Sequence, residues 1–377
     1  MNILLISPYF FPAVGGVETH LNDLCKYLKE KKNIIFVRTY KAFGVKDRGE
    51  TYEGDRFLKI HRLWWPDFNL IFILEKYSGL KFLYLFIGLF FDCLLFLFKK
   101  GKDIDIIQTH GFIAALIAVI LGKIFNKKVV INTHVGFNLN DNFMTRIIRW
   151  TLLNSDKILV LTPSVKKSLT NLGVPDEKIE IYHYWVDQKI FNKRVNAKEE
   201  LKWKDQFIVL FVGRLIEVKG VLKIFSLASQ LKDITFAIAG SGPLSEEIAQ
   251  KSKEFSNVIF LGKVGNDKLP LYYSGADLLL IPSNVVKQEY EEGIPRVMIE
   301  ALSCSLPVIS TKSGGIPDVF SNKIGVLVED NLASMKKAIE VFSKDSELLK
   351  NISENCRGYA LNYFSSKNGQ IIERSLG

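Results

Sequence analysis

The sequence predicts an α/β protein of two doubly wound domains in tandem, and two observations predict it. Near-continuous apolar runs of strand length alternate with longer stretches of helical spacing, the pattern of parallel sheets covered on both faces. That rhythm runs from residue 3 to about residue 182 and restarts after about residue 190. A chain of 377 residues has the length for two such domains, and 48% hydrophobic residues supply a core for each.

The first series of strand-like runs is Ile3–Ser7, Ile34–Val37, Asp105–Gln108, Val129–Asn132, Lys157–Leu161 and Ile179–Tyr182. After Gly15-Gly16, the residues Val17, Leu21, Leu24, Cys25 and Leu28 recur at helical spacing, so the chain opens as strand, glycine turn, helix. The second series is Phe207–Val212, Ile234–Ala239, Val258–Leu261, Leu278–Ile281, Val308–Ser310 and Val326–Val328. We expect a first domain over 1–187, a second over 188–357, and a C-terminal helix over 358–377 that returns to the first.

Ligands of doubly wound folds bind beyond the carboxyl ends of the strands. The candidate site residues obey this rule. Gly15-Gly16, His110, Thr133-His134, Gly213-Arg214 and Gly240-Ser241-Gly242-Pro243 each follow a strand-like run directly. Paired glycines let backbone N–H groups approach a ligand, and the helix behind them favours anions. Arg214 and Lys219 are a fork of donors and a point charge suited to a diphosphate, although two solvated cations fit the same pattern.

The stretch from Glu291 to Leu302 carries Glu292 and Glu300 on either side of Gly293-Ile294-Pro295-Arg296-Val297. A helix start near Pro295 puts Glu292 in the preceding loop and Glu300 about one and a half turns inside the helix. The N–H groups of Gly293, Ile294, Arg296 and Val297 then converge where an anion or oxygen-rich group binds, with two carboxylates to accept hydroxyl donors. Read alone, the stretch is more often a helix start with two ordinary acids.

The formal charge of +10 suits a nucleic acid, a phosphorylated ligand or an anionic membrane. No compact Lys/Arg run with interleaved aromatics speaks for nucleic acid. Cys25, Cys93, Cys304 and Cys356 are scattered and read as reduced, buried thiols of a cytoplasmic protein, and neither end reads as a signal peptide. Leu80–Phe98 is nearly all apolar, broken by Lys81 and Asp92 and followed by Lys99, Lys100 and Lys102. Three readings stay open for it: a membrane span, a helix docked on a membrane surface, and an ordinary packed helix. With Leu63-Trp64-Trp65 and Phe68–Leu74 it gives residues 64–102 the character of a contact for an anionic membrane surface.

The ordered set Gly15-Gly16-Val17-Glu18, His110, Gly213-Arg214-Leu215 with Lys219-Gly220, Ala239-Gly240-Ser241-Gly242-Pro243, Glu292 to Glu300-Ala301, and Gly314-Gly315-Ile316-Pro317-Asp318 resembles the retaining nucleotide-sugar glycosyltransferases of family 4. The resemblance runs from Asn2 to about Phe364. It implies the GT-B fold, two Rossmann-like domains facing each other across a cleft. The first would bind the acceptor, a lipid-linked molecule or glycan, and the second the nucleotide sugar. Arg214 and Lys219 would hold the diphosphate in place of a metal, so neither metal nor cofactor is expected. Glu300 would take the ribose hydroxyls, and Glu292 with the amides of 293–297 the sugar and distal phosphate. Gly240 and Gly242 would bring backbone to the donor, Gly15-Gly16 would lie against the diphosphate, and His110 would contact the donor sugar near the reacting carbon. Tyr184-Trp185-Val186-Asp187 departs from the Asn-Gly-Val-Asp usual at the link, Ser305-Leu306 replaces the usual Gly before Pro307, and Asp318 stands for the usual Glu. The rivals are a nucleotide-sugar epimerase or hydrolase of the same fold, and a non-catalytic nucleotide-sugar-binding protein.

Overall fold

The computed structural model describes residues 1–13, 15–43, 48–66, 74, 77–134, 143–285 and 293–377. They divide into two compact units, Met1–His183 with Ser366–Gly377, and Tyr184–Ser365. The first runs β1 (Asn2–Ile6), α1 (Gly16–Glu30), β2 (Ile34–Tyr40), β3 (Tyr52–Gly54), β4 (Leu58–Leu63), α2 (Ser78–Lys100), β5 (Ile106–His110), α3 (Phe112–Phe125), β6 (Lys128–Asn132), α4 (Phe143–Leu153), β7 (Lys157–Val160), α5 (Pro163–Asn171) and β8 (Ile179–Ile181). Its sheet has the order β3-β4-β2-β1-β5-β6-β7-β8, parallel except for the β3–β4 hairpin at one edge. The expected strands are all present. The hairpin is an addition, because Leu58–Leu63 alternates with Lys59, His61 and Arg62 and lacks the apolar run of the others.

The second unit runs β9 (Phe207–Arg214), α6 (Lys223–Gln230), β10 (Ile234–Ser241), α7 (Ser245–Ser252), β11 (Val258–Gly262), α8 (Leu269–Gly275), β12 (Leu278–Ile281), α9 (Arg296–Ser303), β13 (Val308–Thr311), β14 (Gly325–Val328), α10 (Leu332–Lys344) and α11 (Ser346–Tyr363). Its strands pair in parallel in the order β11-β10-β9-β12-β13-β14. Both units are therefore doubly wound. In each, the chain starts mid-sheet, winds to one side, and then crosses to the other.

The observed boundaries differ from 187 and 357. Tyr184, Trp185 and Val186 are buried, and Arg296 Nη1 donates to Trp185 O at 3.1 Å, which ties the link to the second unit. Arg357 fastens the following residues, donating to Gln188 O, Phe191 O and Ser303 O. Gly358 lies inside α11, whose Cys356 and Ala360 are buried, and only α12 (Asn368–Leu376) joins the first unit. There Gly369 lies against the Tyr27 ring, and Tyr27 bonds Glu373.

The two faces of α2 have different surroundings. Leu85, Leu89, Cys93 and Leu97 face the core, packed with α3 residues Ala114, Ala118 and Leu121. Asp92 also points inward, 3.5 Å from Arg38 Nε and 3.2 Å from His61 Nδ1. The Tyr40 hydroxyl donates to Leu85 O and accepts from Leu89 N–H, so the helix is bonded to the sheet at its middle. One face of α2 is thus core, while Leu80, Leu83, Ile87, Phe91, Leu95 and Phe98 form an exposed stripe on the other. All four cysteines are free and buried.

Candidate functional site

In the second unit the winding reverses between β9 and β12, and the crevice beyond such a reversal is where doubly wound sheets bind ligands. The predicted phosphate residues converge there. β9 ends at Gly213-Arg214, with Arg214 exposed, and the single turn Glu217–Lys219 follows. That turn is sewn to the residues after β12, because Asn284 N–H donates to Val218 O and Asn284 Nδ2 to Glu217 O, both at 2.9 Å. Gly220 has φ of +67°, and a Cβ there would stand 1.9 Å from Pro282 O. No other residue type permits that approach. Neighbouring β10 ends in Gly240-Ser241-Gly242-Pro243. A Cβ on Gly240 would meet Gly213 O at 1.9 Å, and one on Gly242 would meet Leu215 O at 2.5 Å. Leu215 N–H donates to Ser241 O, and Leu215 O accepts from Leu244 N–H. The glycines bind one strand-end loop to the next and fix the bases of Arg214 and Lys219.

α9 begins at Arg296, with Pro295 as the residue before the first turn. Gly293, Ile294 and Pro295 are buried, Val297 half-buried, and the first turn of a helix carries N–H groups that the helix cannot satisfy. Glu300 is 4% exposed. Its Oε1 accepts from Arg296 Nε and its Oε2 from the Tyr273 hydroxyl, both at 2.9 Å. Burial and the Glu300 charge hold the Tyr273 phenol well above its ordinary pKa, so it remains a donor. These two bonds fix the carboxylate on the first turns of α9. Glu292 lies outside the described residues, as do Tyr290 and Phe68–Ile73. Gly314-Gly315 leads into a single turn, Ile316–Val319, after β13.

In the first unit the reversal lies between β1 and β5. Gly15 ends the loop after β1 and precedes α1, whose first turn holds Gly16 and Glu18. Arg62 is fully buried and donates through Nε and Nη2 to Phe11 O, at 3.1 and 2.8 Å, which pins that loop. His110 is the last residue of β5. Its Nδ1 lies 2.9 Å from His134 Nε2, and the rings stack at 5.0 Å. Sequence reasoning placed His110 and His134 at strand ends but missed Tyr273, Asn284, Arg62 and His20. None of these stands in a glycine motif. Only His20, five residues into α1 behind Gly15-Gly16, has a positional signal.

Two doubly wound α/β units in one chain are the architecture of the GT-B fold. The family "Glycosyltransferase Family 4" matches residues 14–189 and "Glycosyl transferases group 1" matches residues 192–359, so the chain belongs to this glycosyltransferase family. The phosphatidylinositol N-acetylglucosaminyltransferase GPI3 subunit of Saccharomyces cerevisiae is 22% identical, over 90% of this chain and 75% of that protein. Among solved structures, sucrose-phosphate synthase from Thermosynechococcus elongatus superposes with a TM-score of 0.80 at 20% identity, over 99% of this chain and 97% of that one. Anabaena HepE in complex with UDP-glucose does so with a TM-score of 0.77 at 17% identity, over 100% and 99%. These likenesses establish the fold.

Proposed function

We propose that the protein is a retaining, metal-independent hexosyltransferase that moves a sugar from a nucleoside-diphosphate sugar to a lipid-linked or glycan acceptor, as in glycolipid or lipopolysaccharide synthesis. The observation that carries the reading is the strand reversal of the second unit. There Arg214 ends β9, the turn carrying Lys219 is stitched by Asn284 to the residues after β12, and Glu300 is held on α9. Two cations at one strand end offset the charge that builds on a leaving diphosphate, the task a metal performs in other sugar transferases. In the transfer, the bond from sugar C1 to the phosphate oxygen breaks. The bond from C1 to the acceptor oxygen forms on the same face, and the acceptor proton passes to the leaving phosphate. Glu292 and the N–H groups of Gly293, Ile294, Arg296 and Val297 would hold the sugar, and His110 would contact it near C1. A relative whose name specifies a phosphatidylinositol acceptor and a neighbour bound to UDP-glucose support the substrate classes.

The lipid-linked acceptor is favoured by α2. Its apolar stripe runs the length of the helix and is followed directly by exposed Lys99, Lys100 and Lys102, and Trp64, Lys123, Ile124 and Lys128 of the same unit are exposed as well. Apolar residues edged by lysines suit the anionic cytoplasmic leaflet of a membrane, so the enzyme would work there as a peripheral protein. Purified protein given a nucleotide sugar should release nucleoside diphosphate when an acceptor lipid is added, and the product should keep the donor's anomeric configuration by NMR. Equal release without acceptor would mark a hydrolase, and an inverted product would overturn retention.

A further inference from the structure

Three histidines meet inside the first unit, from α1, β5 and the residues after β6. His20 presents its ring edge to His110 and His134, at centroid distances of 6.4 and 6.3 Å, and lies 5.7 Å from the Tyr182 ring. All four side chains are more than nine-tenths buried. Among the described residues, His110 Nε2 is buried without a hydrogen-bond partner, and so are Gln108 Oε1, Thr109 Oγ1 and Thr133 Oγ1 on and beside the two adjoining strands. A run of unsatisfied buried polar atoms at one strand reversal calls for a ligand to complete it. The atoms are imidazole, amide and hydroxyl groups, both donors and acceptors, and the hydroxyls of a sugar are partners for either kind.

Burial holds His110 well below its ordinary pKa, with the neighbouring His134 and His20 adding to the effect, and burial pushes His134 down to about 3. Both rings are therefore neutral, and each carries one N–H. The 2.9 Å contact between His110 Nδ1 and His134 Nε2 holds one proton. Whichever ring donates it, the tautomer of His110 is tied to His134, and His110 Nε2 takes the opposite character to its Nδ1.

We propose that His134 is a positioning residue for the transfer, fixing the ring plane and tautomer of His110 so that His110 Nε2 meets an oxygen of the transferred sugar. This rests on the reading of the protein as a sugar transferase. The test uses His134→Leu, which removes the hydrogen bond, and His134→Gln, whose amide keeps one. With His134→Leu, kcat should fall at least tenfold while KM for the nucleotide sugar stays within about threefold, and His134→Gln should recover part of the loss. Uniformly 15N-labelled histidine gives five side chains to follow. The two-bond N–H correlation of His110 should show one tautomer in the unaltered protein and a mixture in His134→Leu. Unchanged kcat in His134→Leu, or a single unchanged His110 tautomer, would overturn the proposal. If the unaltered protein transfers no sugar, the transferase reading fails instead, and the tautomer measurement still decides whether His134 governs His110.

Discussion

Glu300→Ala is the perturbation whose size the structure predicts best. The substitution leaves the Arg296 side chain, 6% exposed, without its carboxylate and takes the acceptor from the buried Tyr273 hydroxyl. Breaking a buried ion pair by removing one partner costs about 3–5 kcal/mol, because a charge is left uncompensated. The orphaned hydroxyl adds about 1–3 kcal/mol where it finds no other acceptor. At roughly 2–4 °C per kcal/mol for a domain of this size, calorimetry should show the second unit's Tm falling by about 6–20 °C from the ion pair alone, and by up to about 30 °C where the hydroxyl is also orphaned. Arg296→Met with Glu300→Leu removes both charges together and should recover most of the loss, because the pair stabilises little against an apolar replacement of similar volume. A drop under about 2 °C in Glu300→Ala, or a double variant as unstable as the single, would refute this account of why Glu300 is so firmly held. The same calorimeter separates stability from binding. Nucleoside diphosphate should raise the Tm of the double variant less than that of the unaltered protein, since the ribose acceptor is gone.

Further outcomes follow from charge and exposure. His134 binds its proton far more weakly when folded than at the usual unfolded value, so the unfolded chain takes up protons that the folded chain refuses. Stability from this residue is present above about pH 6.5 and is lost as pH falls toward its lowered value; from about pH 7.5 to about 5.5 the loss is about 1.4 kcal/mol. His110 is shifted in the same direction and adds a loss of the same sign, and a first-unit Tm that does not fall on acidification would contradict both. Phe91→Glu with Leu95→Glu, on the exposed stripe of α2, should lower co-sedimentation with anionic liposomes at least tenfold, since each side chain contributes about 1.5–3 kcal/mol when buried in an apolar phase. Unaltered protein that fails to sediment even at low salt would remove the membrane from the account. Added chelator should leave turnover unchanged; loss restored by a divalent cation would show that Arg214 and Lys219 do not act in a metal's place.

The parallel strands were legible because buried parallel strands are apolar throughout, and the reversal-point motifs were legible because glycine alone fits between closely packed strand ends. Gly220 and Gly240 show this, each with a carbonyl where a Cβ would stand. What stayed hidden depends on pairs distant in sequence. β4 was missed because Arg62 and His61 look solvated until their partners, Phe11 O and Asp92, are known. Asp92 looked like a flaw in an apolar helix, yet it is the group that orients α2, leaving the opposite face wholly apolar. Tyr273 bears no motif and becomes visible only through its bond to Glu300, 27 positions away. The link was misplaced because Arg296, on a helix far along the chain, holds Trp185 O.

Titration calorimetry of nucleoside diphosphate into unaltered protein and into Arg214→Ala with Lys219→Ala tests the central claim most directly. Each charge-assisted contact contributes about 1.5–3 kcal/mol, so the double variant should bind roughly a hundredfold to ten-thousandfold more weakly. Arg214→Ala alone should leave the Tm without ligand little changed, since Arg214 is exposed at the end of β9. Binding within about threefold of the unaltered protein would contradict the claim that this strand end is the diphosphate site.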